Sequence, residues 1–345
     1  MEIQENVPLA AYTTFHLGGP ARFFARARTE ADLLEAARFA DERRVPLFVL
    51  GGGSNLLIAD QGVAGLVLKM ELTGVSYQLV GPDGFATVAA AAGVTWDDFV
   101  AETLTHGLYG LENLSAIPGT VGASAVQNIG AYGVEAGNLI VGVRALDRET
   151  MTMVELDHAA CRFAYRDSLF KQHKGRYIIS TVFYRLHSAS AGTYVPHIGY
   201  KDLTEYFEPN PQEAVTATAV REAVTTVRRN KLPDWHEWGT AGSFFKNPTI
   251  TAEHFATLVA KYPGLPGFPE PHDRIKVSLG WILDKVCDVR GFCLGHACVY
   301  EKQALVLVAK PGATAAEVVA LSQELMKRVK EKTDIDIEGE VEWVN

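Results

Sequence analysis

The run Leu47-Phe48-Val49-Leu50 reads as a buried strand and feeds directly into Gly51-Gly52-Gly53-Ser54-Asn55. Consecutive glycines after a strand let bare amide groups converge on an anion, because no Cβ blocks the approach. Phosphate is the anion that such a turn suits. Two familiar phosphate signatures do not fit. Gly51, Gly53 and Leu56 break the spacing of the Rossmann fingerprint, and no Gly-Lys-Ser/Thr follows as in a P-loop. A tight turn between two strands would use the same residues, so the triple glycine alone leaves both readings open. A second glycine-rich stretch, Ile117-Pro118-Gly119-Thr120-Val121-Gly122-Ala123, shifts the balance towards a ligand.

Several side chains could supply chemistry beside that ligand. Arg166, in Tyr165-Arg166-Asp167-Ser168, reads either as a surface ion-pair partner or as a planar guanidinium gripping a carboxylate at two points, which Lys could not do. Ser243 stands between Gly242 and Phe244-Phe245, with Lys246 nearby: a loop serine, or a hydroxyl donor set against an apolar wall. Near the C-terminus, Asp336, Glu338, Glu340 and Glu342 alternate with Ile335, Ile337, Val341 and Trp343, which predicts a strand with one acidic face. A solvated edge explains most of that face. A carboxylate carried from it into a closed site would feel its neighbours' charge and resist ionisation. Gly339 would allow a small bulge or the close approach of a ligand.

Two constellations have blander readings. Arg228, Arg229 and Lys231 precede Leu232-Pro233-Asp234 and look like a solvated helix end, where cations suit the dipole. Cys287, Cys293, His296 and Cys298 could be drawn as a zinc site, but no C-x-x-C pair exists and the apolar neighbours suit buried, inert thiols. No metal is expected.

The elements that must position these residues can be read in outline. Thr29 and Asp32 predict a capping box, with Leu33, Ala36, Ala37 and Ala40 on the buried face of a helix ending before Pro46. Leu56-Leu57-Ile58 and Leu66-Val67-Leu68 predict short strands. From Val75 to Tyr184 the pattern is strand-rich, with Trp96 opening a short helix and glycines frequent between Gly107 and Gly142. A loop from Ser188 to Tyr200 and the break Glu208-Pro209-Asn210-Pro211 precede a helix over residues 212–229, with Val215, Ala219, Ala223 and Val227 as its apolar face. Thr314 and Glu317 predict a second capping box, ahead of an apolar stripe of Val318, Leu321, Leu325 and Val329.

Composition sets the class. With 345 residues, 48% hydrophobic and 21% charged, the chain is globular and long enough for two or three domains. The formal charge of −9 argues against a nucleic-acid partner but not against an anionic small molecule. No apolar run reaches the roughly 18 residues of a membrane span. The acidic start Met1-Glu2-Ile3-Gln4-Glu5-Asn6 lacks a signal-peptide pattern, and the chain's cysteines make no disulfide framework, so a cytoplasmic protein is expected.

The two glycine stretches, together with Gln127-Asn128-Ile129-Gly130-Ala131-Tyr132-Gly133, resemble the UDP-N-acetylenolpyruvoylglucosamine reductase family, bacterial flavoenzymes of peptidoglycan precursor synthesis. Further matches are Thr13-Thr14-Phe15 with Gly18-Gly19-Pro20-Ala21, Tyr165-Arg166-Asp167-Ser168, and Gly242-Ser243-Phe244-Phe245-Lys246-Asn247-Pro248, in the family's order. The resemblance implies an α+β protein: a two-subdomain FAD-binding fold of the PCMH type, like that of vanillyl-alcohol oxidase, with a C-terminal α+β substrate domain. The divisions expected are 1–74 and 75–228 for FAD, the latter carrying a tyrosine loop at 188–204, and 229–333 for substrate. The terminal strand at 334–345 would return to the first subdomain. A monomer is expected.

The resemblance also implies roles. FAD would be held by Gly51, Gly52, Gly53, Ser54 and Asn55 with Ile117, Pro118, Gly119, Thr120, Gly122 and Ala123. NADPH would be the reductant and a UDP-enolpyruvyl amino sugar the substrate. Arg166 would stabilise an enolic intermediate, Ser243 would donate a proton, and the family's C-terminal glutamate falls on Glu340, with Glu338 as the neighbouring register. Tyr200, Lys231, Asn247 and Gln303 would contact the UDP-sugar, Tyr200 placing the chain in the subgroup with the tyrosine loop. Thr240 and His296 depart from the family's usual Asn and Gly. Two other readings share much of this sequence. One is an oxidase of the same flavin fold acting on a sugar or alcohol, with flavin attached covalently at a residue such as His106. The other is a nucleotide-sugar binder without chemistry.

Overall fold

The computed structural model describes residues 1–78, 80–209 and 215–345, and its contacts divide the chain into two compact units. The first comprises Met1–Val7, Ala21–Gly52 and Ala64–Asn230; the second comprises Pro8–Pro20, Gly53–Val63 and Lys231–Asn345. One passage between units falls inside the triple glycine.

In the first unit, the strands Ile3–Pro8, Pro20–Ala27, Val63–Met70 and Leu47–Leu50 form a sheet in that order. Leu47–Leu50 runs parallel to Val63–Met70, with Leu50 opposite Lys69. The helix Glu30–Arg43 opens with the expected Thr29–Asp32 capping box and buries Leu33, Ala36, Ala37 and Ala40. Its last turn ends in left-handed Arg44, after which Leu47–Leu50 begins. A second, antiparallel sheet runs Thr152–Asp157, Ile140–Asp147, Tyr177–Ser188, Phe85–Ala91, Val75–Tyr77, with Leu108–Tyr109 also paired to Tyr177–Ser188. Ala86, Val88 and Ala90 face inward from Phe85–Ala91. Such small side chains let the helix Val121–Gln127 pack close to the strand, beside the helix Trp96–Thr105. Trp96, Phe99 and Tyr184 fill the space between, with Phe99 and Tyr184 ring centroids 5.1 Å apart.

The helix before the unit boundary is Ala217–Lys231, and it buries Ala217, Val220, Ala223 and Val224. The expected stripe of Val215, Ala219, Ala223 and Val227 is therefore rotated, and residues 212–214 of the expected helix lie outside the described residues, as do Asn210 and Pro211. Beside the buried stripe, Arg221 also finds a partner within the first unit. Arg221 grips both oxygens of Asp97 at 2.6 and 3.0 Å, and Asp97 also accepts the Ala116 amide at 2.6 Å. Burial resists ionisation of Asp97, but these donors outweigh it and hold the carboxyl below its usual range. A depressed folded-state pKa contributes stability above the unfolded value of about 4 that is lost as pH falls through the folded value. Asp97→Asn is expected to lower the urea midpoint at pH 7, with the deficit against the parent shrinking as pH drops below about 4. A deficit independent of pH would show that the ion pair contributes nothing.

In the second unit, Gly239–Ser243, Val306–Ala309, Ala297–Val299 and Cys293–Leu294 form an antiparallel sheet in that order. Thr249–Thr251, Arg274–Val277 and Gly267–Glu270 form another. The helix Ala315–Thr333 has the expected Thr314–Glu317 capping box and buries Val318, Leu321, Leu325 and Val329. Asp60 adds a second cap, accepting the Ala315 and Ala316 amides at 2.8 and 3.0 Å.

Two sequence expectations for this unit are corrected. Cys293 and Cys298 are not inert thiols: they stand opposite each other across a hairpin and are joined as a disulfide, leaving Cys161 and Cys287 free and buried. Nor is the C-terminal segment one continuous strand. Ile335 and Ile337 are buried as the alternation requires, but Trp343 is 43% exposed and Val344 is buried, so the phase slips by one residue. Only Glu342–Val344 is a strand, pairing in parallel with Leu56–Ile58. The slip occurs where Glu340 and Val341 both donate to the Phe244 carbonyl, at 2.7 and 3.5 Å, beside a bridge between Phe245 and Gly339. Two amides meeting one carbonyl make a bulge, and a bulge exchanges the faces of everything after it.

Candidate functional site

Gly51 and Gly52 lie in the first unit against the second glycine stretch. A Cβ on Gly52 would stand 2.6 Å from the Gly119 Cα, and one on Gly51 would stand 2.8 Å from the Thr120 hydroxyl and 3.4 Å from the Ala123 Cβ. Only glycine permits so close an approach. Gly53, in the second unit, has φ +66°, and a Cβ there would collide with the Tyr12 carbonyl. Asn55, also in that unit, directs its Nδ2 to the Glu340 carbonyl at 3.2 Å and accepts the Glu342 amide on its own carbonyl at 2.9 Å. Its side chain thus ties the turn to the C-terminal segment.

The helix Val121–Gln127 begins at the second stretch, yet its first amides are already engaged: Val121 donates to Val94 and Gly122 to Ala92, both at 2.9 Å. An anion there has to be met by other groups. Thr120 is one. It is the N-cap residue, but its hydroxyl makes no capping bond and is buried without a hydrogen-bond partner. A buried hydroxyl left unpaired where two glycine-rich segments run backbone to backbone fits a polar ligand group, as a flavin nucleotide would supply. The residues present fit FAD.

Arg166 and Tyr200 also belong to the first unit. Arg166 adopts the left-handed conformation, φ +54°, and its Nη2 donates to the Gly130 carbonyl at 2.7 Å. Asn128 holds the approach to this turn through the Ala164 carbonyl at 2.8 Å, and Lys171 holds the Arg166 carbonyl at 2.9 Å. Ser168 is buried and bonded to the Val126 carbonyl at 2.7 Å. The motif Gln127-Asn128 therefore supports the arginine turn structurally. Tyr200 stands at the N-cap position of the helix Lys201–Phe207, its side chain making no capping bond, and meets the Tyr132 ring edge-on at 5.4 Å.

Sequence reasoning missed the residues that hold this loop. Glu112 and Asn113 are both fully buried. Glu112 accepts the Gly110 amide at 2.7 Å and the Tyr194 hydroxyl; Asn113 donates to the carbonyls of Tyr132 at 3.1 Å and His197 at 2.8 Å. Arg228 is not part of a solvated helix end. Instead it donates to the Ala116 carbonyl at 3.2 Å and bonds Tyr132, and burial pushes its guanidinium down from its ordinary value. The available signal was its place on the inward stripe, four residues beyond Val224. His106, the attachment point an oxidase reading would use, is exposed, stacks on Tyr77 at 4.1 Å and bonds the Glu102 carbonyl at 2.9 Å.

The second unit holds the remaining candidates. Ser243 is exposed at the end of Gly239–Ser243, just after a register shift between Thr240 and Ser243. Gly242 takes φ +73° there. Thr240 is buried, donates its hydroxyl to the Leu307 carbonyl at 2.8 Å and accepts the Gly242 amide at 3.2 Å. The threonine at this position thus closes the bulge that presents Ser243. Phe244 and Phe245 point into the core rather than forming a wall beside the hydroxyl. Lys246 is turned to Glu338, whose carboxylate lies 3.8 Å from its Nζ and whose side chain is 80% exposed. Glu340 is half-buried, its amide on the carbonyl next after Ser243. Asn247 and Gln303 meet around the short helix Leu279–Trp281: Asn247 Oδ1 accepts the Leu279 amide at 3.0 Å, and Gln303 Oε1 lies 3.3 Å from where a Gly280 Cβ would stand. Lys231 is exposed at the end of Ala217–Lys231. His296, on a surface hairpin, sits 3.4 Å from Glu317 and is accommodated without entering the core.

The first unit carries Gly51 and Gly52 with the second glycine stretch, and the second unit carries an exposed serine and a half-buried glutamate. Residues 21–157 match the FAD binding domain family, and residues 234–344 match the C-terminal domain of UDP-N-acetylenolpyruvoylglucosamine reductase. The chain is 44% identical over 344 residues to the UDP-N-acetylenolpyruvoylglucosamine reductase of Neisseria gonorrhoeae, covering 99% of this chain and 97% of that one. It is 43% identical over 340 residues to that of Pseudomonas aeruginosa, covering 99% and 98%. Among solved structures, the UDP-N-acetylenolpyruvylglucosamine reductase of Thermus caldophilus aligns over 100% of both chains with a TM-score of 0.69 at 24% identity, a likeness of fold. The chain belongs to the UDP-N-acetylenolpyruvoylglucosamine reductase family. It is an FAD-containing oxidoreductase, and the family's place is peptidoglycan precursor synthesis. Among the described residues, no helix is long and apolar enough to cross a membrane.

Proposed function

We propose that this chain reduces UDP-N-acetylglucosamine enolpyruvate to UDP-N-acetylmuramate with NADPH as reductant. When bound, FAD supplies the hydride relay, from NADPH to the outer carbon of the enolpyruvyl group. Negative charge then develops towards the substrate carboxylate as an enolate. Arg166 and Glu340 stabilise that species, and Ser243 protonates the carbon next to the carboxylate. Tyr200, Lys231, Asn247 and Gln303 contact the UDP-sugar. Asn247 uses Oδ1 on Leu279, so its Nδ2 is the end that donates to a ligand. The glycine turn and the Ile117–Ala123 stretch hold the FAD diphosphate. Working divisions at 1–74, 75–228 and 229–333, a monomeric state and a cytoplasmic location belong to the same reading.

The observation that carries this proposal is the bulge at Gly339-Glu340. It takes Glu340 off the exposed acidic face and sets its amide on the Phe244 carbonyl, one residue from Ser243, while Glu338 stays in solvent. A hydroxyl donor and a carboxyl group on adjacent backbone are what protonation of an enolate needs, and this favours Glu340 over Glu338. The test is a stopped-flow trace. NADPH should bleach the flavin absorbance, and the UDP-enolpyruvyl sugar should restore it under anaerobic conditions. Bleaching that the sugar does not reverse would overturn the assignment of substrate.

A further inference from the structure

We propose that Lys69 is a positioning residue for the FAD diphosphate, acting from behind the glycine turn on the peptide that joins Gly51 to Gly52. The proposal rests on the reading that this turn holds the diphosphate.

Lys69 interrupts the apolar strand Val63–Met70 and sits in register with Leu50, the last residue before the glycines. Its Nζ donates to the Gly51 carbonyl. No peptide bond in the described chain is cis, and in a trans peptide the following N–H points opposite to the carbonyl. Fixing the Gly51 oxygen towards Lys69 therefore fixes the Gly52 N–H away from it. An ammonium on the carbonyl also polarises the amide and strengthens its N–H as a donor. A Cβ on Gly51 would meet the Thr120 hydroxyl, which is buried and unpaired, and one on Gly52 would meet Gly119. A cation on the Gly51 carbonyl, the amide that follows it and an unpaired hydroxyl beside Gly51 thus lie at one short turn, and an anionic group of the diphosphate class suits all three.

The cost of placing a lysine here points the same way. Burial weakens the Lys69 ammonium, opposed by the nearby Glu71. That carboxylate is itself held by Arg26 and by Arg28 Nε at 3.2 Å, so Lys69 is not simply its partner. A strand that needed only packing at this position would use an aliphatic side chain.

The test compares FAD with riboflavin, which lacks the diphosphate, binding to the apoprotein by quenching of flavin fluorescence. Lys69→Met is expected to weaken FAD by about 10- to 100-fold while leaving riboflavin affinity unchanged. Lys69→Gln, which keeps a donor for the Gly51 carbonyl without the charge, should lose less, and it carries the test if the methionine variant does not fold. Equal losses for FAD and riboflavin would make Lys69 a brace for the strand and overturn the proposal, as would undiminished FAD affinity in both variants. Gly52→Ala separates the underlying reading. If FAD affinity survives that change, the diphosphate is not at the turn; if it falls while the Lys69 variants bind normally, only the role of Lys69 is lost.

Discussion

Ser243→Ala should leave flavin reduction by NADPH as fast as in the parent while slowing reoxidation by the enolpyruvyl substrate about 100- to 10,000-fold, the usual range for loss of a positioned proton donor. The two half-reactions separate because only the second requires a proton on carbon. The geometry supports confining the effect to that step. Ser243 is exposed at the mouth of a bulge whose shape is set by Thr240 and by Gly242 at φ +73°, not by the serine hydroxyl. Removing the hydroxyl therefore leaves no buried group unpaired in this strand, and the thermal midpoint should stay within a degree or two of the parent. Double-mixing stopped-flow reads both rates in one experiment. Reoxidation at the parental rate would remove Ser243 as proton donor, and equal slowing of both half-reactions would mean that the substitution disturbs the flavin instead.

What the sequence disclosed and what it concealed divide along the range of the forces involved. Both capping boxes, at Thr29–Asp32 and Thr314–Glu317, were legible because the interacting groups lie three residues apart and need no partner from elsewhere. The glycine turn was legible as a place of close backbone approach for a similar reason: Gly51, Gly52 and Gly53 each stand where a Cβ would meet a neighbouring atom. The C-terminal segment misled because period two was its only local signal. Its phase is reset by the Phe244 carbonyl, nearly a hundred residues earlier, and nothing near Gly339 announces that contact. The pairing of Cys293 with Cys298 likewise depends on a hairpin register that the cysteine spacing alone does not specify.

Arg228 failed differently. Three cations close together look solvated, and that average impression hid one arginine on the inward stripe of Ala217, Val220 and Val224. Counting helical positions through the basic run would have separated Arg228 from the exposed Arg229 and Lys231. Glu112 and Asn113 were out of reach for any local rule. Each is an ordinary polar residue until the loop carrying Tyr194 and His197 folds over it, and only then do their buried groups find partners. The stretch between the two family matches, residues 158–233, contains Arg166, Tyr200 and Lys231, so much of the candidate chemistry sits where the general flavin pattern has ended.

The second large effect is expected at Arg166→Lys, where charge is kept and geometry is lost. A guanidinium offers five donors in a fixed fork, so one nitrogen can be anchored while another edge grips a carboxylate; an ammonium offers one point of charge. The protein invests structure in holding this fork. Arg166 sits at φ +54°, a conformation that disfavours side chains with a Cβ and persists only where the surroundings over-determine it. Lys171 on its carbonyl, Asn128 on the Ala164 carbonyl and the bridge between Ala164 and Asp167 supply that determination, and the Gly130 carbonyl fixes Nη2. If that effort serves an enolate whose charge grows only during reaction, Arg166→Lys should cut kcat/KM about 100- to 1,000-fold, mostly through kcat, with FAD content and thermal midpoint unchanged. The exposed Arg162, also left-handed, supplies the control: Arg162→Lys should alter neither constant. A rise in KM with kcat intact would make Arg166 a residue that binds substrate and transition state equally. In that case the stabilisation of the enolate would have to come from Glu340, and Glu340→Gln should then show the kcat loss that Arg166→Lys did not.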